Sequence, residues 1–363
     1  MRGGDESQGR RDQPMISVVV PLYNCAQYVP HAVESVLSEG VDNLQVIVVD
    51  DGSTDGSVHA LAPFRDRIEV IEQPNRGPAA ARNRGVHAAR GNLVAFLDAD
   101  DWWHGGRLAA QLAALEEFPR AGISITDFTV DDPNGPTRDH AGIRWKYRLV
   151  KDPRETPWDL LFSEQRVVPW RSPDGTIYEG TSYFGDIGRW LFRGNFFNTS
   201  SVLVRKEALV KAGGFDESLD TEEDYDCWLK IAREWPVVFI DAPLVAFRRR
   251  PDQLTRPDQL ERVLRNALLV VRRAAQQAPD GLSGSEVGKR LASLERDLGI
   301  VCLRNRRNRE AREHLAASVS LSPFDLPALA LLVAAHLPPG LLGGIEGLRR
   351  LLQDRPRRSS IAR

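Results

Sequence analysis

The sequence predicts an α/β fold, a mostly parallel sheet flanked by helices and followed by an α-helical appendix. Three observations predict it. Short apolar runs at residues 16–20, 44–49, 68–71 and 93–97 alternate with helical patterns, which is the sign of βαβ units with right-handed crossovers. These runs lead into polar loop residues: PLYN, DDGSTDGS, EQPNRG and DADD. From residue 259 on, Leu, Ala and Arg dominate and the pattern is helical throughout.

Composition narrows the class without naming an activity. The 363 residues are 42% hydrophobic and 27% charged, ordinary for a globular chain of about two domains. With 48 Lys and Arg against 50 Asp and Glu, the net charge of -2 argues against nucleic-acid binding or whole-molecule steering. Cys25, Cys227 and Cys302 are odd in number and far apart, which fits neither a disulfide framework nor a zinc cluster and suits a reducing compartment. Residues 1–14 are polar and Gly-rich with no apolar h-region, so a disordered tail is expected rather than a signal peptide. No stretch reaches the ~18 uninterrupted apolar residues of a membrane span. The nearest, 326–342, contains His336 and is broken by Pro338 and Pro339, so a packed helix is expected ahead of an interfacial one.

The first strand, 16–20, runs into PLYN and then a helix on whose face Tyr28, Val29, Ala32, Val33, Val36 and Leu37 recur. The second strand meets DDGSTDGS, where Gly52 and Gly56 permit tight geometry and Ser53, Thr54 and Asp55 favour a helix start. After the third strand, 75–78 carries loop chemistry and 79–89 is rich in helix formers, with Arg82, Arg84 and Arg90 along it. Gly91 then stops the helix, and LVAFLDADD begins.

A parallel sheet gathers the loops at its carboxyl edge into one crevice, where open α/β sheets bind ligands. Asp98, Asp100 and Asp101 therefore have two readings, a cap for the next helix or a cation site. Hard divalent cations take oxygen ligands, and Mg²⁺ commonly binds through carboxylates plus substrate phosphates. PLYNCAQY contains no glycine, so the Gly-x-Gly-x-x-Gly fingerprint is missing after the first strand, and a Walker A loop is missing too. Phosphate held through a metal is thus favoured over phosphate held by a glycine loop.

VVVPLYN, VIVVDDGSTDGS, PNRGPAAARNRG and FLDADD, in this order and spacing over about a hundred residues, resemble the nucleotide-binding half of a family 2 glycosyltransferase with the Rossmann-like GT-A fold. The resemblance implies a nucleotide-sugar site. Pro21, Tyr23 and Asn24 would line base and ribose, Asp51 would bond the base, and Asn75 and Arg82 would lie near base or diphosphate. Asp98 and Asp100 match the family's Asp-x-Asp, with Asp100 the direct ligand of Mn²⁺ or Mg²⁺ and Asp98 nearer the ribose.

A helix is expected from about Arg107, with Leu108, Leu112 and Leu115 inward, and the sheet resumes at 123–125. Over 131–193 the regular pattern fails amid prolines and Trp145, Tyr147, Trp158, Trp170, Tyr178, Tyr183 and Trp190. A stretch that long is functional or folds locally, and its aromatics can form a small core or a sugar-stacking platform. A strand is expected at 198–205 and a short helix ending at Gly213 and Gly214. TEEDYDCWLKIAREW then reads as a helix with Glu222, Glu223, Asp224 and Asp226 in its first turn, where the macrodipole alone favours acids. GGFDESL followed by EEDYDCWLKI resembles the family's acceptor-side signature, which implies Asp224 as base, Glu223 and Asp226 as helpers, and Trp228 as a wall of the sugar pocket. Many relatives have a histidine near the end of the last strand, 237–250, that can reach the metal; here Arg248, Arg249 and Arg250 stand instead. An arginine, Arg250, is accordingly expected on the diphosphate.

The expected organisation is a tail (1–14), a nucleotide-sugar half (15–128), an acceptor half (129–255) and an α-helical segment (256–363). The expected activity is metal-dependent, inverting transfer of a sugar from a nucleoside-diphosphate sugar, first of all a UDP-sugar, to a hydroxyl acceptor in glycan or glycolipid biosynthesis. A catalytically idle module on the same fold and a sugar-phosphate nucleotidyltransferase are the rivals. The expected location is the cytoplasm; peripheral membrane contact, homodimerisation and covering the sheet are the roles open to the C-terminal helices.

Overall fold

The computed structural model of the protein describes residues 15–132, 161–250, 257–277 and 281–336. The expected tail, Trp145, Tyr147, Trp158 and everything from residue 337 on lie outside the described residues. Two compact units are formed. One holds 15–132, 161–187 and 196–250, and the other holds 188–195, 257–277 and 281–336. Residues 15–128 and 129–255, expected as two halves, both contribute strands to one sheet in the first unit, and 188–195 belong to the second unit.

Strands β1 (Ile16–Leu22), β2 (Leu44–Asp50), β3 (Glu69–Glu72) and β4 (Leu93–Phe96) pair in parallel in the order β3-β2-β1-β4. Of the connecting helices, α1 (Val29–Leu37) has Pro30 in its first turn, α2 (Ser57–Ala60) follows Gly56, and α3 (Pro78–Ala88) follows Gly77 and begins with proline. α1 buries Val29, Ala32, Val33 and Val36, four residues of the expected face. α3 lies close on β1, because a Cβ at Gly85 would come 2.3 Å from Val19 Cγ1. Register then fixes the edge: Leu22 stands beside Asp50 and Asp50 beside Glu72, so β1, β2 and β3 end level, while β4 ends at Phe96 beside Val19, three residues short of the end of β1.

The sheet continues through β5 (Trp102–Trp103), α4 (Arg107–Glu117), β6 (Ile123–Asp131), β7 (Glu164–Arg171), β8 (Ile177–Gly185), β9 (Val202–Arg205) and β10 (Val237–Arg248). Its full order is β3-β2-β1-β4-β9-β6-β10-β8-β7, with β5 on β10. β9 runs antiparallel to both β4 and β6. A strand that enters against its neighbours starts where they end, so the residues just before Val202 arrive beside Asp98–Asp101. After α5 (Gly188–Arg193), which belongs to the second unit, come α6 (Lys206–Lys211) and α7 (Glu223–Ala232).

Two expectations change. Residues 198–205 are not all strand, since Thr199–Ser201 form a 3₁₀ turn with the Asn198 side chain accepting the Ser200 N–H. The polar side chains of NTSS compete for backbone groups and favour a turn. Within the 131–193 segment, residues 164–185 are more regular than the prolines suggest, because β7 and β8 pair as an antiparallel hairpin. Pro169 is tolerated since β7 is the edge strand of the sheet among the described residues. Trp170 joins the main core, stacked 6.0 Å from Tyr178, so its aromatic ring serves packing.

In the second unit α8 (Leu260–Ala275), α9 (Gly284–Arg304), α10 (Asn308–Leu321) and α11 (Leu326–Ala334) form the expected helical segment. Ser283 and Glu286 close a capping box on α9. Leu315 packs where a Cβ at Gly299 would lie, 2.6 Å from its Cγ. α11 buries Ala328, Leu331 and Ala334 and exposes Leu326 and Val333. None of the described helices is long and apolar enough to cross a membrane.

Glu39, just past α1, is 3% exposed and accepts the Leu108 N–H at 2.7 Å, tying α1 to the start of α4. Burial pushes its pKa up to about 7 from 4.5, against the pull of the Leu108 bond and the Arg107 charge. The folded protein therefore keeps a proton that the unfolded chain releases, and stability falls as pH rises from about 4.5 to about 7. Glu39→Gln should flatten that fall, read from urea-unfolding midpoints at about pH 5 and about pH 7.5.

Candidate active site

The edge loops are bonded to one another before any ligand is considered. Asn24, at φ 50°, donates its N–H to Ser53 Oγ at 3.0 Å and accepts the Thr54 N–H on Oδ1 at 2.8 Å. The Cys25 and Ala26 N–H groups donate to Ser57 Oγ and Asp55 Oδ2, each at 2.9 Å. Asp51, buried, accepts the Gln73 side-chain amide at 2.8 Å, the Arg76 N–H at 2.9 Å and the Gly77 N–H at 2.8 Å. Its carboxylate thus shapes the 73–77 loop. Gly52, at φ +78°, is needed there, because a Cβ would lie 3.0 Å from the Asn75 backbone nitrogen. Tyr23 is 50% exposed, Asn75 is exposed, and Pro21 lies within β1 opposite Val49.

Arg82 is the hinge of the charged part. Its Nη2 donates to Asp98 Oδ1 at 2.8 Å and its Nη1 to Glu223 Oε1 at 2.6 Å, while its guanidinium carbon lies 5.6 Å from the Phe215 ring centre. Burial works against its charge but is outweighed by Asp98, Glu223 and Asp224, so its pKa is raised. The side chain is 7% exposed, so it ties the end of β4 to the first turn of α7 from beneath. Glu223 is raised by burial and by Asp224, opposed by Arg82.

The three aspartates after β4 have different surroundings. Asp98 is 33% exposed. Asp100, 18% exposed, receives Arg250 Nε on Oδ2 at 2.8 Å. Burial pushes Asp100 up, with Arg250 opposing and Asp98 adding to the rise. Asp101 is buried and structural: Oδ2 accepts the Ser200 hydroxyl at 2.6 Å and Oδ1 the Arg248 N–H at 3.0 Å. Burial and the Asp100 and Asp98 charges hold it well above the carboxylate range. Arg250 also donates to Cys25 Sγ at 3.5 Å and lies over Tyr28, joining the PLYN loop to Asp100. Arg248 stacks on Tyr28 and Trp102, and Arg249 pairs with Asp132 at 3.0 Å.

In the first turn of α7 the acids diverge. Glu222, at φ 66°, is the cap; Glu223 is held by Arg82; Asp226 is buried against Lys230 at 2.6 Å. Asp224 alone of these four is not buried, and its Oδ2 accepts the Thr199 hydroxyl at 2.8 Å. Trp228 corrects one expectation. It is fully buried among Phe96, Phe197 and Phe215, so it supports the site from below and cannot wall a sugar pocket.

Asp98, Asp100, Glu223 and Asp224 outnumber Arg82 and Arg250 by two charges. Oxygen donors with an excess of negative charge fit a hard divalent cation. The fold therefore brings Asp51, Arg82, Asp98, Asp100, Glu223, Asp224, Arg250 and Asn24 to one edge. Thr199 and Ser200 are the residues sequence reasoning missed; the polar NTSS run before an apolar strand was the available signal.

A mixed sheet with acidic loops at its carboxyl edge, opposite an acid-capped helix, is the arrangement of the GT-A fold. Residues 17–170 match the model of glycosyl transferase family 2. An uncharacterized glycosyltransferase of Rickettsia felis is 38% identical over 243 residues, which cover 66% of this chain and 35% of the relative. The chain spans between 27% and 35% of the length of the first curated relatives it matches. Among solved structures, S. aureus TarS in complex with UDP-GlcNAc superposes with a TM-score of 0.57 at 18% identity, covering 94% of this chain and 89% of that one. The mannosyltransferase PcManGT from Pyrobaculum calidifontis, in complex with GDP-Man and Mn²⁺, gives 0.51 at 20% identity, covering 96% and 86%. At these identities the two structures establish the likeness of fold.

Proposed function

We propose that the chain transfers a sugar from a nucleoside-diphosphate sugar to a hydroxyl acceptor, with inversion, using Asp224 as the base. The observation that carries this reading is the contrast within the first turn of α7: Asp224 is open to the edge and oriented by Thr199, while Glu223 is spent on Arg82. In a single displacement the acceptor oxygen bonds to the anomeric carbon, the bond to the diphosphate breaks, and Asp224 takes the hydroxyl proton. Glu223 acts as a helper through Arg82. Tyr23, Asn24 and Asn75 receive the base and ribose on the loops that Asp51 shapes, and Pro21 supports them from β1.

Asp100 and Asp98 would hold Mn²⁺ or Mg²⁺, which supplies positive charge to the departing diphosphate when bound. Arg250 stands beside Asp100 and contributes a fixed guanidinium to the same phosphates. A UDP-sugar is the first donor to test, with GDP-mannose second, as the ligands named for the two superposed structures suggest. The acceptor class is a glycan or lipid-linked hydroxyl.

Asp224→Asn should lower kcat by about 10²–10⁴-fold with little change in donor KM, measured as nucleoside diphosphate release across a panel of UDP- and GDP-sugars. Unchanged turnover in that variant would remove Asp224 from the chemistry. EDTA should abolish release and Mn²⁺ or Mg²⁺ should restore it; full activity in chelator would contradict the cation assignment of Asp98 and Asp100.

A further inference from the structure

We infer that the Asn198–Ser201 turn is a two-sided positioning element, in which Thr199 aims the Asp224 carboxylate and Ser200 fixes the Asp98–Asp101 turn. The inference rests on the reading of Asp224 as base and Asp98 and Asp100 as the diphosphate side.

The two contacts come from adjacent residues and point to opposite partners. Thr199 Oγ1 donates to Asp224 Oδ2 at 2.8 Å. Ser200 Oγ accepts the Asp98 N–H at 3.1 Å and donates to Asp101 Oδ2 at 2.6 Å. Asp101 N–H in turn donates to the Asp98 carbonyl at 3.0 Å, so the hydroxyl closes the turn that carries Asp100. A base and a cation-binding turn separated by a varying distance would meet a substrate out of register. Here their separation is set by one peptide unit.

The turn can serve as a reference point because it is anchored on its other side. Three successive carbonyls take buried donors: Ser200 O from Trp103 Nε1 at 3.0 Å, Ser201 O from Gln111 Nε2 at 3.0 Å, and Val202 O from Arg107 Nη2 at 3.0 Å. Gln111 and Arg107 are fully buried, and the Arg107 guanidinium lies 3.9 Å from the Trp103 ring centre. Asn198 adds its own grip, with Oδ1 accepting the Ser200 N–H at 2.8 Å and its carbonyl accepting the Ser201 hydroxyl at 2.7 Å. Topology explains why this turn has the task. β9 is antiparallel to β4 and β6, so its first residues sit at the carboxyl edge that the parallel strands define.

The function divides between the two residues, so the test does too. Thr199→Val keeps shape and removes the hydroxyl; it should lower kcat about tenfold or more while donor KM stays within about twofold, and Thr199→Ser should restore kcat to within about threefold. In an Asp224→Asn background Thr199→Val should have no further effect. Ser200→Ala should instead weaken Mn²⁺-dependent binding of UDP or GDP, whichever the wild type binds tighter, by about tenfold in calorimetry. Wild-type kcat in Thr199→Val would overturn the Asp224 side even where Asp224→Asn is inactive, and unchanged nucleotide and Mn²⁺ binding in Ser200→Ala would overturn the other. If Asp224→Asn itself is fully active, the base assignment fails. Should Thr199→Val not fold, Thr199→Ala under the same criteria decides.

Discussion

The site depends on one buried cation. Arg82 reaches Asp98 with one nitrogen and Glu223 with another, and those two acids are 125 residues apart in sequence, at positions 98 and 223. Taking the Arg82 guanidinium and the Glu223 carboxylate out of water is costly unless they are paired, and Asp98, partly exposed, adds a second acid to the same cation. The pairing therefore acts as a constraint: α3, the end of β4 and the first turn of α7 must meet at one place for the chain to bury these groups at all. Once they do, Asp224 is presented at the same edge as Asp100, beside Thr199 rather than free in solvent.

Around that constraint the chain divides labour among its acids by burial. Asp51, Asp101, Glu223 and Asp226 are buried and spend their oxygens on backbone N–H groups, a hydroxyl, an arginine or a lysine. Asp98, Asp100 and Asp224 keep more access, and these are the acids to which the proposed function assigns cation and proton. The same residue type serves as scaffold or as site according to how many donors the fold has already placed on it. Arg250 adds a second permanent cation, paired with Asp100 and seated against Tyr28.

Much of this was legible in the sequence because it is written in short-range patterns. The apolar run LVAFL followed by DADD gave a buried strand with acids at its carboxyl end, and α1 buries Val29, Ala32, Val33 and Val36 of the face its spacing marks. Linked loop motifs pointed to the family, and a glycine-free first loop pointed away from dinucleotide binding. What stayed hidden depends on which strand sits beside which. NTSS reads as the start of a strand, and only the antiparallel insertion of β9 between β4 and β6 turns Thr199 and Ser200 toward Asp224 and Asp101. Trp228 has the spacing of a helix face and the neighbours of a pocket in sequence, yet Phe96, Phe197 and Phe215 come from distant segments to bury it. Pro169 disguises a strand that stands last in the sheet order among the described residues.

The central claim is that Arg82 couples the Asp98 side to the Glu223 side. A double-mutant cycle on unfolding free energy, with Arg82→Met and Glu223→Gln alone and together, measures the buried Glu223 arm of that coupling directly. The account predicts an interaction of about 2–3 kcal/mol, with the double variant less damaged than the two single losses added. Additivity within about 0.5 kcal/mol would mean that the two groups do not depend on each other, and the arrangement described here would need another cause.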